Sequence, residues 1–251
     1  MSTVDKAGVV LRAVSELAPV TQMAPLEERT GIPKPTLYRI LRTLLERDMI
    51  QQDASGAYRV GDKVFALAAR AFPRLGLDED VRRVLIDLSR QVHQAIHLSA
   101  LRGDDLIYVD KIEADTPFYL QSAIGRHQAI HSSSIGKSVL ANLPEARARH
   151  ILEHSNLEAL TPYTVTSVAD IMASLPRIRE RGFARDDEED ELSTRAVGTC
   201  LRDRSGAVVG GLSIVAPAFQ VEMAELDAQA PQLLAAAATI EEVIAGRGLL
   251  N

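Results

Sequence analysis

The segment IHSSSIGKSVLA, residues 130–141, holds two spacings that do chemistry in other proteins. Ser134 and Lys137 stand three apart, as a serine nucleophile and its lysine do in acyl-transfer enzymes. Gly136-Lys137-Ser138 repeats the tail of a phosphate-binding loop. Each lacks what its chemistry needs. A phosphate loop requires a glycine five residues before Gly136, and His131 stands there. The acyl-enzyme requires S-D-N and K-T-G partner motifs, and neither occurs in the chain. What remains is a helix start. Serines 132–134 can cap it, and its free N–H groups attract a small anion or carbonyl without reacting with it. Lys137 is then expected to serve structure or solvent, and Gly136 to let another backbone or a ligand approach closely.

Two further clusters invite a metal. The six histidines form three pairs four residues apart, His93/His97, His127/His131 and His150/His154. Only a helix turns that spacing into one face. The first pair spans a helix-to-strand change and the second falls on strand or loop. His150/His154 is the helical pair, and it has no clear third ligand. The acidic run RDDEEDEL, residues 185–192, reads as a solvated turn, with Asp186 as the exception. No metal and no cofactor are expected.

These groups need a scaffold, and composition bounds it. The chain has 251 residues, 46% hydrophobic and 25% charged, the balance of a globular protein with one large domain or two modest ones. No run approaches the ~20 apolar residues of a membrane span. Asp5, Lys6, Arg12 and Glu16 interrupt any apolar signal core, and a single cysteine, Cys200, leaves no internal disulfide. The expected location is the cytoplasm. The net charge of −6 splits unevenly: residues 1–76 carry +3 and the remainder −9. A mildly basic front on an acidic body predicts two domains with different tasks.

In the front, residues 7–17 place Val10, Ala13, Val14 and Leu17 on one helical face. A second helix follows, with Thr21 as its expected N-cap and Gly31 as its stop. The turn IPKP leads into KPTLYRILRTLLERDM, whose Leu37, Ile40, Leu41, Leu44 and Leu45 form a buried stripe. That leaves Lys34, Thr36, Tyr38, Arg39, Arg42 and Thr43 facing outward. MIQQ, the turn DASG and AYRV then alternate as a hairpin. Helix, helix, turn, polar-basic helix and hairpin predict a winged helix-turn-helix over residues 1–60, with the third helix in the major groove of double-stranded DNA. An amphipathic linker helix is expected over 61–76, ended by Pro73 and Gly76.

Residues 77–251 predict an α+β domain on an antiparallel sheet. VRRVLIDLSRQVHQ is helical; AIHLSALR, DLIYVDKIE and PFYLQSAI are strand-like. Helices are expected near 135–154 and 167–181. RAVGTCLRD and AVVGGLSIVAP flank the turn RSG, and an Ala-rich helix runs over 222–245. The layout also admits an enzyme recruited to DNA by its front module, or an architectural DNA binder.

GIPKPTLYRILRTLLERDMIQQD with GAYRVG resembles the winged helix-turn-helix of the IclR family of bacterial transcriptional regulators. IHSSSIGKSVLA, RGFARDDEED and GAVVGGLSIVAP resemble the three signature segments of that family's effector-binding domain. The resemblance runs in order from about residue 6 to 245. It implies a GAF-like effector domain, a homo-oligomer (a dimer or dimer of dimers), an operator DNA and a small-molecule effector. It also implies a pocket formed by Ser134, Ile135, Asp186, Thr194, Ala196, Ser213 and Val215. Relatives that bind small oxoacids have cysteine at Ala196 and serine at Val215, and a smaller residue at Ile135. Pro35 replaces a common serine of the recognition helix. With fewer polar groups on the strands, the expected effector is a monocarboxylate or neutral carbonyl compound with an aromatic or apolar body. Thr194 and Tyr119 are the groups that could add polarity back.

Overall fold

The computed structural model describes residues 2–17, 21–64, 67, 79–114 and 122–247. The chain divides into two compact units, Met1–Phe72 and Pro73–Asn251.

In the first unit, α1 (Thr3–Glu16) starts in a reciprocal cap. The Ser2 hydroxyl accepts the Asp5 N–H at 3.1 Å, and the Asp5 carboxylate accepts the Ser2 N–H at 2.7 Å. Its buried face is Val10, Ala13 and Val14. α2 (Met23–Thr30) ends at Gly31, which takes the left-handed conformation with φ 64°. Thr21 does not cap α2; Gln22 holds that position, without a side-chain bond. Thr21 instead exchanges backbone hydrogen bonds with Tyr58 at 2.9 and 2.6 Å, because its strand-like backbone is used to extend the hairpin. That hairpin is β1 (Ile50–Gln52) against β2 (Tyr58–Val60). Its turn is tied by the Asp53 carboxylate, which accepts the N–H groups of Ser55 at 2.8 Å and Ala57 at 3.1 Å. α3 (Lys34–Glu46) buries Leu37, Ile40, Leu41 and Leu44 against Leu26 and Ile50. Each such side chain contributes roughly 1.5–3 kcal/mol on burial. Of the expected linker helix, residues 62–64 and 67 are helical. The rest of it, including Pro73 and Gly76, lies outside the described residues, as does the expected start of the second domain at 77.

In the second unit, α4 (Glu79–Val92) leads into β3 (Ala95–Arg102) and β4 (Asp105–Ile112). β5 (His127–Gln128) follows, then α5 (Ser134–Asn142), α6 (Glu145–His154) and α7 (Val168–Arg181). β6 (Ala184–Asp187), β7 (Thr194–Arg202), β8 (Val208–Pro217), α8 (Met223–Ala228) and α9 (Ala230–Arg247) complete it. The strands form one antiparallel sheet in the order β5-β4-β3-β8-β7-β6. Alternation along β3 sorts its two faces. Ile96, Leu98 and Ala100 join a core with Leu85 and Leu88 of α4, Leu226 of α8, and Leu233 and Ile240 of α9. The opposite face packs under Val139 and Leu140 of α5, Ile151 of α6 and Ile171 of α7.

Several expectations shift. The helix near 135–154 breaks at Leu143, because Pro144 cannot donate within a continuing helix. The terminal helix divides at Gln229, whose N–H bonds the Leu226 carbonyl three residues back at 3.0 Å. Of the strand expected at PFYLQSAI, residues 117–121 lie outside the described residues. Residues 122–124 are not strand, and it is His127–Gln128 that pairs with β4. The acidic run is not a solvated turn. Its first part is the edge strand β6, and the loop after it is packed inward by the partners described below.

Candidate functional site

Two cross-strand rows form the floor of the site. Asp186, Ala196, Val215 and Ala95 lie side by side across β6, β7, β8 and β3. Two residues along each inner strand, Gly198, Ser213 and His97 form the second row. The start of α5 sits on this floor. A Cβ at Gly198 would lie 2.7 Å from the Ser134 Oγ and 2.8 Å from the Ile135 nitrogen, so only glycine admits the helix there. Gly136 has the same duty toward the incoming loop. A Cβ on it would fall 2.3 Å from the Ile130 carbonyl oxygen, so the neighbour it admits is backbone. Ser133 caps α5, its hydroxyl accepting the Gly136 N–H at 3.1 Å and donating to the Ala129 carbonyl at 2.6 Å.

Between floor and helix start lies a cavity of about 330 Å³. Ser134, Asp186, Thr194, Ala196, Ser213 and Val215 line it. Ile135 does not. It is fully buried in the apolar core beneath α5, because one residue along a helix turns the side chain away from the face that Ser134 shares with the cavity. Tyr119 lies outside the described residues. The walls also hold His97, Tyr108, Ser122, Gln128, Leu160, Asp190 and Glu191, which the sequence reading missed. Period-two alternation could have found His97, two residues from Ala95 on one strand. Asp190 and Leu160 come from loops and carry no such signal.

The acidic loop is fastened by its partners. Lys137 forms an ion pair with Glu189, so its role is structural. Ser132 donates to Asp190 at 2.5 Å. The Thr161 and Thr164 hydroxyls donate to the carbonyls of Glu188 and Glu189 at 2.7 and 2.6 Å. Asp186 accepts the N–H groups of Glu189 at 2.9 Å and Asp190 at 3.2 Å. Burial, and the charge of Asp190 beside it, hold the Asp186 carboxyl well above the usual range, and burial raises Asp190 as well. Burial also pushes the Tyr108 hydroxyl up. The Thr194 hydroxyl is buried without a hydrogen-bond partner among the described residues.

One serine–histidine contact lies in the cavity, Ser122 Oγ to His97 Nε2 at 3.0 Å. Burial depresses His97 to about 3, and among the described residues no acid bonds its other ring nitrogen. Such an imidazole is a poor general base at neutral pH. The His150 and His154 rings do stack on α6, 4.1 Å apart, but among the described residues no three metal-binding side chains converge.

In the first unit, α3 exposes Lys34, Tyr38, Arg39, Arg42 and Thr43, while Thr36 is half-buried. Arg42 is paired with Glu46 at 2.9 Å. The Thr43 hydroxyl donates to the Arg39 carbonyl at 3.0 Å. Among the described residues the Arg39 guanidinium has no partner. The hairpin adds Arg59, exposed and bonded to Gln51 at 2.6 Å, a cation that alternation alone did not single out.

The family model described as "Bacterial transcriptional regulator IclR C-terminal" matches residues 69–242, and "IclR helix-turn-helix domain" matches residues 3–54. The chain belongs to the IclR family. The HTH-type transcriptional regulator KdgR of Escherichia coli is 32% identical over 241 residues, covering 96% of this chain and 91% of that protein. XynR of the same organism is 30% identical over 227 residues, covering 90% of each. Among solved structures, the Thermotoga maritima IclR aligns with a TM-score of 0.80 at 24% identity, covering 96% of this chain and 98% of that one. An IclR homologue from Microbacterium hydrocarbonoxydans, complexed with 4-hydroxybenzoate, aligns with a TM-score of 0.80 at 20% identity over the same shares. This IclR-family chain is thus a DNA-binding transcriptional regulator with a C-terminal effector-binding domain, and not an enzyme. No helix among its described residues is long and apolar enough to cross a membrane.

Proposed function

We propose that the effector of this regulator is a small monocarboxylate or neutral carbonyl compound with a ring or other apolar body. The division of the cavity carries this reading. Ala95, Ala196 and Val215 form an apolar patch on one part of the floor. Ser134, Ser213 and the first N–H groups of α5 offer polar contacts on one side of that patch, and Thr194 lies on its other side. A ligand carboxylate or carbonyl suits the helix start, and its body suits the patch. Asp186 and Asp190 line the same cavity and can hydrogen-bond a hydroxyl on that body. The 4-hydroxybenzoate in the Microbacterium relative has that form.

The same reading puts DNA contacts on Lys34, Thr36, Tyr38, Arg39, Arg42 and Thr43, in a domain of residues 1–60 joined by 61–76 to the effector domain. It makes the active species a cytoplasmic homo-oligomer, a dimer or dimer of dimers, because one winged domain buries too little surface for tight specific binding. Calorimetry of the full chain tests the effector class. 4-Hydroxybenzoate and benzoate should bind saturably, ahead of glyoxylate, pyruvate and succinate. Tight binding of glyoxylate or pyruvate, with no response to the aromatic monoacids, overturns the assignment.

A further inference from the structure

A second cavity of about 310 Å³ lies in the effector domain and shares no lining residue with the first. The 186–190 segment turns Asp186 and Asp190 to one cavity and Glu189 to the other. α5 likewise gives Ser134 to the first and Lys137 to the second. The main wall is α7, which presents Asp170, Ser174, Arg177 and Arg181 at spacings of four, three and four, one helical face. Arg185 of β6 joins them.

Three guanidinium groups thus border one space. Arg181 donates through Nε to the Phe183 carbonyl at 3.0 Å and stacks over the Phe183 ring at 4.5 Å. Arg185 forms a two-point ion pair with Asp227, through Nε at 2.8 Å and through Nη2. Both are fixed by one edge, which leaves their remaining N–H donors pre-oriented. Arg177 has no partner among the described residues. Their mutual repulsion is felt: burial, then Arg185, and also Arg177, lower the Arg181 pKa, with Asp227 opposing. The acids at the cavity do not relieve this. Glu189 is committed to Lys137, and Asp170 sits at the opposite end of α7 from Arg181. Crowded, oriented guanidinium groups with spare donors bind phosphate and carboxylate oxygens, often in pairs.

We infer that this cavity binds a small molecule bearing two or more negative charges, an organic phosphate or a polycarboxylate, as a second ligand distinct from the effector. The inference does not depend on the effector class, since it is tested without an effector.

The test is calorimetry and thermal shift on the full chain with citrate and with glycerol 3-phosphate, each at constant ionic strength. Wild-type protein should bind at least one of them saturably, one per chain. Which of the two binds more tightly distinguishes polycarboxylate from phosphate. Arg177→Gln combined with Arg181→Gln should weaken that binding by at least about tenfold. Arg177→Gln alone, at an exposed position with no partner to lose, should weaken it measurably and guards against misfolding of the double variant. Arg149→Gln, on α6 and outside this cavity, should leave it unchanged. Equal binding by the cavity variants and the control overturns the inference, as does the absence of binding up to about 10 mM of either probe.

Discussion

Replacing Gly198 by alanine tests whether the contact of α5 with the sheet builds the effector pocket. The added Cβ would sit 2.7 Å from the Ser134 Oγ and 2.8 Å from both the Ile135 nitrogen and the Ser134 carbonyl carbon. Two of these three atoms are backbone, so no rotamer change relieves them. Carbon contacts are comfortable at about 3.5–4.0 Å, so the helix start must withdraw by roughly 0.7–1 Å. Overpacking of this kind costs about 1–3 kcal/mol. The lower entropy of the unfolded alanine chain returns about 0.4–1 kcal/mol. The net expectation is a loss of about 1–2 kcal/mol, read as a lower urea midpoint at unchanged slope. 4-Hydroxybenzoate affinity should fall as well, because the displaced atoms belong to Ser134 and to the first N–H groups of α5. Gly246→Ala is the matched control in α9: nothing lies within 4 Å of its Cβ, so stability should hold or rise slightly. A Gly198→Ala protein with wild-type stability and affinity would refute the close-packed account of the site.

Arg39→Ala should weaken specific operator binding by about 1–3 kcal/mol, the value of a bidentate base contact, as measured by fluorescence anisotropy with cognate and scrambled duplexes. Equal loss on both duplexes would assign Arg39 to phosphate. Arg42→Ala should weaken both alike and reduce the salt dependence, although Arg42 must first leave Glu46. Asp186→Asn addresses linkage. The folded carboxyl is raised, so the folded chain holds a proton that the unfolded chain releases above the ordinary aspartate value of 3.8. The stability contributed by that proton is complete below that value and is lost as pH climbs from there toward the raised folded value. Asparagine removes this slope while its Oδ1 keeps the two backbone N–H bonds. The variant should be more stable than wild type at neutral pH, by about 1–3 kcal/mol, the scale of a poorly compensated buried group. Parallel pH–stability curves for the two proteins would show the shift to be absent. Light scattering should find at least a dimer, and a monomer binding its operator at full strength would refute the oligomer expectation.

The parts read correctly from sequence are those set by local rules. The Leu37-Ile40-Leu41-Leu44 stripe fixes α3 because spacings of three and four admit one buried face. β7 and β8 are bounded by the RSG turn, and their apolar residues fill both faces. Six of the seven expected pocket residues meet in one cavity because the family segments that carry them lie on adjoining strands and on the start of α5. What was missed depends on contacts distant in sequence. The acidic run looks solvated until Lys137, Ser132, Thr161 and Thr164 are brought to it, from 25 to 58 residues away. Ile135 sits beside Ser134 in sequence, and only the helix phase relative to the sheet assigns it to the core. Thr21 reads as a cap from its residue type alone, and its partner, Tyr58, is 37 positions on.

The two sides of the effector cavity differ in how freely they can change over generations. The 186–191 loop holds its shape through bonds to the start of α5 and to the 161–164 segment, so replacing Glu189 or Asp190 deprives Lys137 or the Ser132 hydroxyl of its partner. Across the cavity, Ala196 and Val215 touch mainly each other and Ala95, on strands whose backbone pairing does not consult their side chains. A substitution there rewrites the chemistry offered to a ligand while the frame stays in place. Descendants of this chain that acquire a new inducer should therefore differ first at residues 196 and 215, and keep the acidic loop nearly intact.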